Sequence, residues 1–225
     1  MTADEVVEWV DDHRGGKHFV ANHNLHSVHL HKTLASFRRA YDLADLVVVD
    51  GSPVLWLTRR RRPELGHEYR TGSTDWIARL GDSMSPGELC LVGASAESNR
   101  RAVERLTADL GPKGWRVRGI DGFRDNAETL DWLRGGVPTL VLVGMGMPRQ
   151  EEFLLENWEK LPPAVYATVG GAIDYVAGTT NLAPRWMGRL GVEWLWRLAH
   201  EPRRLAARYL VEPLALAWLI VVRRR

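Results

Sequence analysis

The chain has 225 residues, of which 45% are hydrophobic and 26% charged, with a net charge of +2; these values fit a folded domain and exclude a disordered or fibrous class. A single cysteine, Cys90, rules out an internal disulfide and fits a reducing compartment. The acidic start, Met1-Thr2-Ala3-Asp4-Glu5, has no signal-peptide pattern, and the longest apolar stretch at the other end, Leu214 to Val222, falls short of the roughly 20 residues that a bilayer span needs.

In chain order, residues 18–22 read as a strand that stops at Asn22-His23-Asn24. A segment with helical spacing runs from Leu30 to Ala44. Residues 46–49 are a continuous apolar run, of the kind expected of a parallel strand buried on both faces, ending at Asp50-Gly51. The run Arg59-Arg60-Arg61-Arg62 reads as a solvated loop face, with anionic lipid as the alternative. Residues 89–93 form the next strand and place Cys90 in the core as a small hydrophobe. A helix over Ala96–Leu110 follows, with Ala102, Leu106 and Leu110 every four residues. Strands at 116–120, 139–144 and 165–169 and a helix over Gln150–Trp158 complete the alternation, which predicts an α/β fold: a Rossmann-like parallel sheet with helices on both faces. After about residue 180 strand-like runs end and Trp and Arg become frequent. The expected division is a core over 1–180 and a basic, helical, membrane-associating appendage over 181–225. That segment holds nine arginines against three glutamates, +6 on a body of −4, which points to an anionic partner.

In open parallel sheets, ligands bind beyond the carboxyl ends of the strands. Three strand ends carry suitable residues. Asp50 follows four apolar residues, where partial desolvation moves a carboxylate toward the range of a general base; the alternative is a loop-capping role. Gly144-Met145-Gly146 precedes Pro148 and a helix start, so backbone can approach an anion there, although Arg149 stands where a dinucleotide fingerprint needs its third glycine. Gln150 and Glu151 open that helix, either as ligand contacts or as complements to its dipole. Gly170-Gly171 forms a second glycine turn, with Asp174 as ligand contact or helix cap. Asn22 and Asn24 both donate and accept, which suits a sugar or base edge. His23, His26, His29 and His31 lack helical metal spacing, and the chain has no Asp-x-Asp pair, P-loop or nucleophile elbow. No metal and no nucleic acid are expected. In the tail Arg197, Arg204 and Arg208 stand seven and four apart, on one helical face if Pro202 opens a nearly continuous helix, and aligned guanidiniums suit a diphosphate.

These segments together resemble the WecG/TagA/CpsF glycosyltransferase family, from about His18 to Leu210. The matching stretches are Ala44 to Gly51, Gly144 to Glu151, Gly170 to Asp174, Ala183 to Met187, Gly191 to Leu198 and Glu201 to Leu205. The resemblance implies inverting, metal-independent transfer of a hexose-type sugar (N-acetylmannosamine, its uronate or a relative) from a UDP-sugar to a polyprenyl-diphosphate-linked acceptor in cell-surface polysaccharide or teichoic-acid-type synthesis. It implies no cofactor, a cytoplasmic protein held peripherally at the inner face of the membrane, and a homo-oligomer as one option. Asp50 matches the family's proposed base; Asn22, at the first motif, is expected to be catalytic with it, and Asn24 to contact substrate. Arg70 matches an arginine after the second helix, and Arg197, Arg204 and Arg208 match tail arginines that stabilise the leaving diphosphate. Three departures stand out. Asn22 replaces a usual Thr, Leu182 replaces an Arg, and Gly72-Ser73-Thr74-Asp75 stretches a Gly-x-Asp. The rival reading is a non-catalytic nucleotide- or lipid-binding module with a partner-docking C-terminal helix.

Overall fold

The structure, a computed structural model, describes residues 1–181, 184, 187, 192–200 and 202, without the side chains of Glu193, Trp194 and Arg197. Leu182, Arg204 and Arg208 lie outside the described residues, as does the Leu214–Val222 stretch. Six parallel strands form one sheet in the order β2-β1-β6-β5-β3-β4. They are β1 (His18–His23), β2 (Leu46–Val49), β3 (Glu88–Gly93), β4 (Arg116–Ile120), β5 (Leu140–Gly144) and β6 (Val165–Thr168). The helices are α1 (Ala3–Asp12), α2 (Leu25–Thr33), α3 (Ala35–Asp42), α4 (Ser52–Arg59), α5 (Ser73–Ile77), α6 (Leu80–Ser83), α7 (Ala96–Leu110), α8 (Asn126–Arg134), α9 (Arg149–Asn157), α10 (Ala172–Ala177) and, as α11, Glu193–His200.

Side chains alternate across a strand, so each central strand feeds two cores. Leu89, Leu91, Leu140, Leu142, Val165 and Ala167 pack on one face with α1, α5, α7 and α10 residues such as Val6, Trp76, Leu106 and Ile173. Cys90, Val92, Val141, Val143 and Tyr166 pack on the other with Leu130 and Leu133 of α8 and Phe153 and Leu154 of α9. The expected parallel sheet with helices on both faces is therefore present. Burial pushes the Cys90 thiol up to about 12, as a core hydrophobe requires.

Two expectations are corrected. The single helical segment over Leu30–Ala44 is two helices broken at Leu34, whose backbone is extended (φ −120°, ψ 116°). Asn24 starts the first helix earlier than apolar spacing suggests, by accepting from the amides of His26 and Ser27 at 3.0 and 3.2 Å. It ends at Thr33, after which the Leu34 amide makes the last helical bond, to the Leu30 carbonyl at 2.8 Å. The second correction concerns β2. It is an edge strand pairing only with β1, and Val47 is 43% exposed. An apolar run of four does not by itself distinguish an edge strand from a central one. Among the described residues, no helix is long and apolar enough to cross a membrane.

Candidate active site

Parallel pairing puts every strand's carboxyl end on the same edge of the sheet, and β2, β1, β6 and β5 are consecutive neighbours there. At strand spacings near 4.8 Å, Asp50 after β2 and the glycine turn after β5 stand about 14 Å apart across that edge. The loops between them form a connected polar floor.

On the β2 side the Asp50 amide donates to the His23 carbonyl at 2.8 Å, tying the Asp50 loop to the end of β1. The segment before α5 is drawn alongside it, because the Thr71 amide donates to the Val49 carbonyl at 2.9 Å. That places Arg70 at the end of β2. It also puts Gly72 against the carboxylate, where an added Cβ would sit 3.5 Å from Asp50 Oδ1. Asp75 holds the turn by accepting from the Gly72 amide at 2.9 Å. Gly51, with φ +99°, lets the chain turn from Asp50 into α4.

In the centre, Asn22 is buried and tied to three segments. Its amide side chain donates to Ser73 Oγ, its backbone N–H donates to Thr168 Oγ1 at 3.3 Å, and its carbonyl accepts from Tyr41 Oη at 2.7 Å. Asn24 spends its side-chain oxygen on the start of α2. His23 Nδ1 meets Ser27 Oγ at 2.8 Å, and burial, with His31 nearby, pushes its imidazole down to about 4. The Tyr41 hydroxyl is held well above its usual range, first by burial and further by the charges of Glu151 and Asp50. Tyr41 thus lies within electrostatic reach of both Glu151 and Asp50.

On the β5–β6 side, Gln150 and Glu151 are each 0% exposed. Gln150 Oε1 accepts from the Gly170 amide at 3.1 Å and its Nε2 donates to Glu151 Oε1 at 2.7 Å. Gln150 thereby clamps the two glycine turns together. Glu151 Oε2 is buried with no hydrogen-bond partner among the described residues, and burial pushes its carboxyl up to about 8. Gly144 is packed so closely that an added Cβ would fall 2.6 Å from Ile173 Cδ1 and 2.9 Å from the Gly170 carbonyl. Gly146 and Gly170 differ: both have positive φ, +78° and +54°, and an added Cβ would meet nothing within 4 Å among the described residues. Space therefore opens above these two turns, beside the start of α9. Asp174 lies in the first turn of α10 with its carboxylate over Gly171.

Asp50, Asn22, Asn24, Arg70, Gly144, Gly146, Gln150, Glu151, Gly170, Gly171 and Asp174 thus belong to one edge. Of the tail arginines, Arg197 has only its place in α11 described. No group of three or more His, Cys, Asp or Glu suited to a metal occurs among the described residues. Sequence reasoning missed Tyr41, Ser73 and Thr168. The only available hint was the glycine before Ser73; Tyr41 was masked by its apolar helical spacing. A second concavity, about 580 Å³ between α7 and α8, lies at the carboxyl end of β4, on the far side of the sheet from β2, beside Asn99, Asp121 and Trp132. Its charges are compensated, Arg100 by Glu104 and Arg124 by Asp121 and Glu128.

Comparison with known proteins identifies the family. The chain is 28% identical over 165 residues to an N-acetylglucosaminyldiphosphoundecaprenol N-acetyl-beta-D-mannosaminyltransferase from Bacillus spizizenii, covering 72% of this chain. The matched region spans 63% of that relative's length. The model of the glycosyl transferase WecG/TagA/CpsF family matches residues 1–225, the entire chain. With the motifs in order along one sheet edge, the chain belongs to the WecG/TagA/CpsF glycosyltransferase family.

Proposed function

We propose that this protein transfers a hexose-type sugar, N-acetylmannosamine or a close relative, from a UDP-sugar to a polyprenyl-diphosphate-linked sugar, with inversion and without a metal ion. The observation that carries the reading is the convergence of Asp50 with two open glycine turns on one sheet edge, in a chain of this family. The relative's name supports the choice of donor sugar and acceptor class.

The Asp50 carboxylate takes the proton of the acceptor hydroxyl as its oxygen attacks the anomeric carbon. The bond from that carbon to the UDP oxygen breaks on the opposite face, and UDP leaves with the electron pair. The Asp50–His23 backbone tie holds the loop of the base in place, so little reorganisation is needed at the moment of transfer. The donor diphosphate lies over Gly146 and Gly170, where backbone approaches closely and the start of α9 favours negative charge. Arg70 and, by family resemblance, Arg197, Arg204 and Arg208 balance the charge that develops on the leaving group. The basic segment from residue 181 on supplies positive charge for peripheral attachment to the membrane.

The test is UDP release from a panel of UDP-sugars in EDTA with a short-chain lipid-diphosphate-sugar acceptor. Release should depend on acceptor, survive EDTA and fall about 10²–10⁴-fold in Asp50→Asn, the range for a positioned base. UDP binding without release for any donor would favour the non-catalytic module.

A further inference from the structure

Helix α4 begins two residues after Asp50 and carries a face that the other described residues leave uncovered. Val54 and Leu55 are buried, whereas Trp56 is 58% and Leu57 38% exposed. Pro53 and Arg60 are exposed as well. Positions 53, 56, 57 and 60 follow the i, i+3, i+4, i+7 pattern of one helical face. The helix then runs directly into Arg59-Arg60-Arg61-Arg62, all exposed. Glu64 pairs with Arg62, and the Arg60 guanidinium lies over the Trp56 ring at 4.0 Å. The surface is therefore an aromatic–aliphatic pair collared by guanidiniums, with a surplus of positive charge.

We propose that α4 and the arginine run form a docking surface for an anionic lipid bilayer, separate from the C-terminal tail. The chemistry is complementary: Trp and Leu enter the headgroup boundary while arginines meet lipid phosphates. Placement supports the assignment. Eight helical residues span about 12 Å, so the arginine run starts about that far from the loop holding Asp50. A lipid-linked sugar reaches out of the bilayer by its diphosphate and sugar, and a base standing one short helix above the headgroups meets its hydroxyl without extracting the lipid. The inference takes only this direction of approach from the transferase reading. An acidic protein partner is the competing occupant.

The test is co-sedimentation of the full chain with vesicles of phosphatidylcholine alone and with 30% phosphatidylglycerol. Binding to the anionic vesicles should weaken as salt rises. It should fall on the order of 100-fold in Arg59→Gln/Arg60→Gln/Arg61→Gln, since each arginine near such a surface contributes roughly a fivefold factor. Trp56→Ser should weaken the binding that persists at high salt. Circular dichroism and UDP release with the water-soluble short-chain acceptor should be unchanged in both variants, which separates docking from catalysis. Wild-type binding that ignores lipid charge, or variants that bind as wild type does, would overturn the proposal and leave membrane attachment to the tail. A wild-type chain that ignores both vesicles would overturn it in favour of a protein partner.

Discussion

Replacing Glu151 by Gln should make the protein more stable, by an amount set by pH. The carboxyl is 0% exposed, one oxygen has no partner, and its pKa rises from 4.5 to about 8 because burial penalises the charged form. Below pH 4.5 folded and unfolded chains both carry the proton, and the side chain imposes no penalty. Between 4.5 and about 8 the unfolded chain releases the proton while the folded one keeps it, so stability falls as pH rises. At 1.36 kcal/mol per unit the loss is about 3 kcal/mol at pH 7 and about 5 kcal/mol above pH 8, a large part of the usual 5–15 kcal/mol total. Glutamine keeps an oxygen for the Gln150 amide and cannot ionise, so E151Q should recover most of that loss. Urea unfolding of both proteins at pH 5, 7 and 8.5 measures it. The curves should nearly meet at pH 5 and diverge steadily above. Parallel curves would refute a neutral acid at this position. Transfer activity should survive in E151Q if the group serves as a proton-bearing clamp on Gln150.

The remaining predictions address other parts of the same edge. Gly144→Ala should destabilise by about 1–3 kcal/mol through overpacking against Ile173 and Gly170, whereas Gly146→Ala carries only the strain of positive φ, about 1–2 kcal/mol; thermal unfolding of the pair checks the contrast. Asn24→Ala should cost about 1 kcal/mol by uncapping α2, read as a lower urea midpoint with an unchanged slope. His23 acts opposite to Glu151. Its pKa is depressed to about 4, so the unfolded chain binds the extra proton first and stability should fall as pH drops from 6.5 toward 4. His23→Asn should flatten that acid limb in the same titration.

The strands were legible because buried parallel strands are nearly continuous apolar runs, and β3, β5 and β6 were located to within a residue or two. Their carboxyl ends were legible for the same reason, since a polar residue or glycine stops each run. Position across the sheet was not legible. Leu46–Val49 looks like Leu140–Val143, yet one is an edge and the other central, because strand order is decided by crossovers that no local pattern encodes. The break at Leu34 was hidden as well. Leucine favours helix, and the start of α2 is set by the bonding of Asn24 to the amides that follow it. Within the site, residue types identified Asp50 and the glycines. Asn22 was legible as a polar residue at a strand end, but its bonds to Tyr41, Ser73 and Thr168 join distant segments; Ser73 and Thr168 resemble ordinary polar residues when read singly, and Tyr41 follows apolar helical spacing.

The Thr71 hydroxyl donates to the Met1 carbonyl at 2.8 Å, and the Thr71 amide is the one that fastens the Arg70–Ser73 segment to the end of β2. Affinity tags are therefore not neutral on this protein. A histidine tag joined directly before Met1 would emerge beside the Asp50 loop, bring metal-binding imidazoles to a site to be assayed in chelator, and pull on the residue that steadies the loop. A tag separated by a cleavable linker, with activity compared before and after cleavage, would distinguish the chemistry of the site from that of the handle.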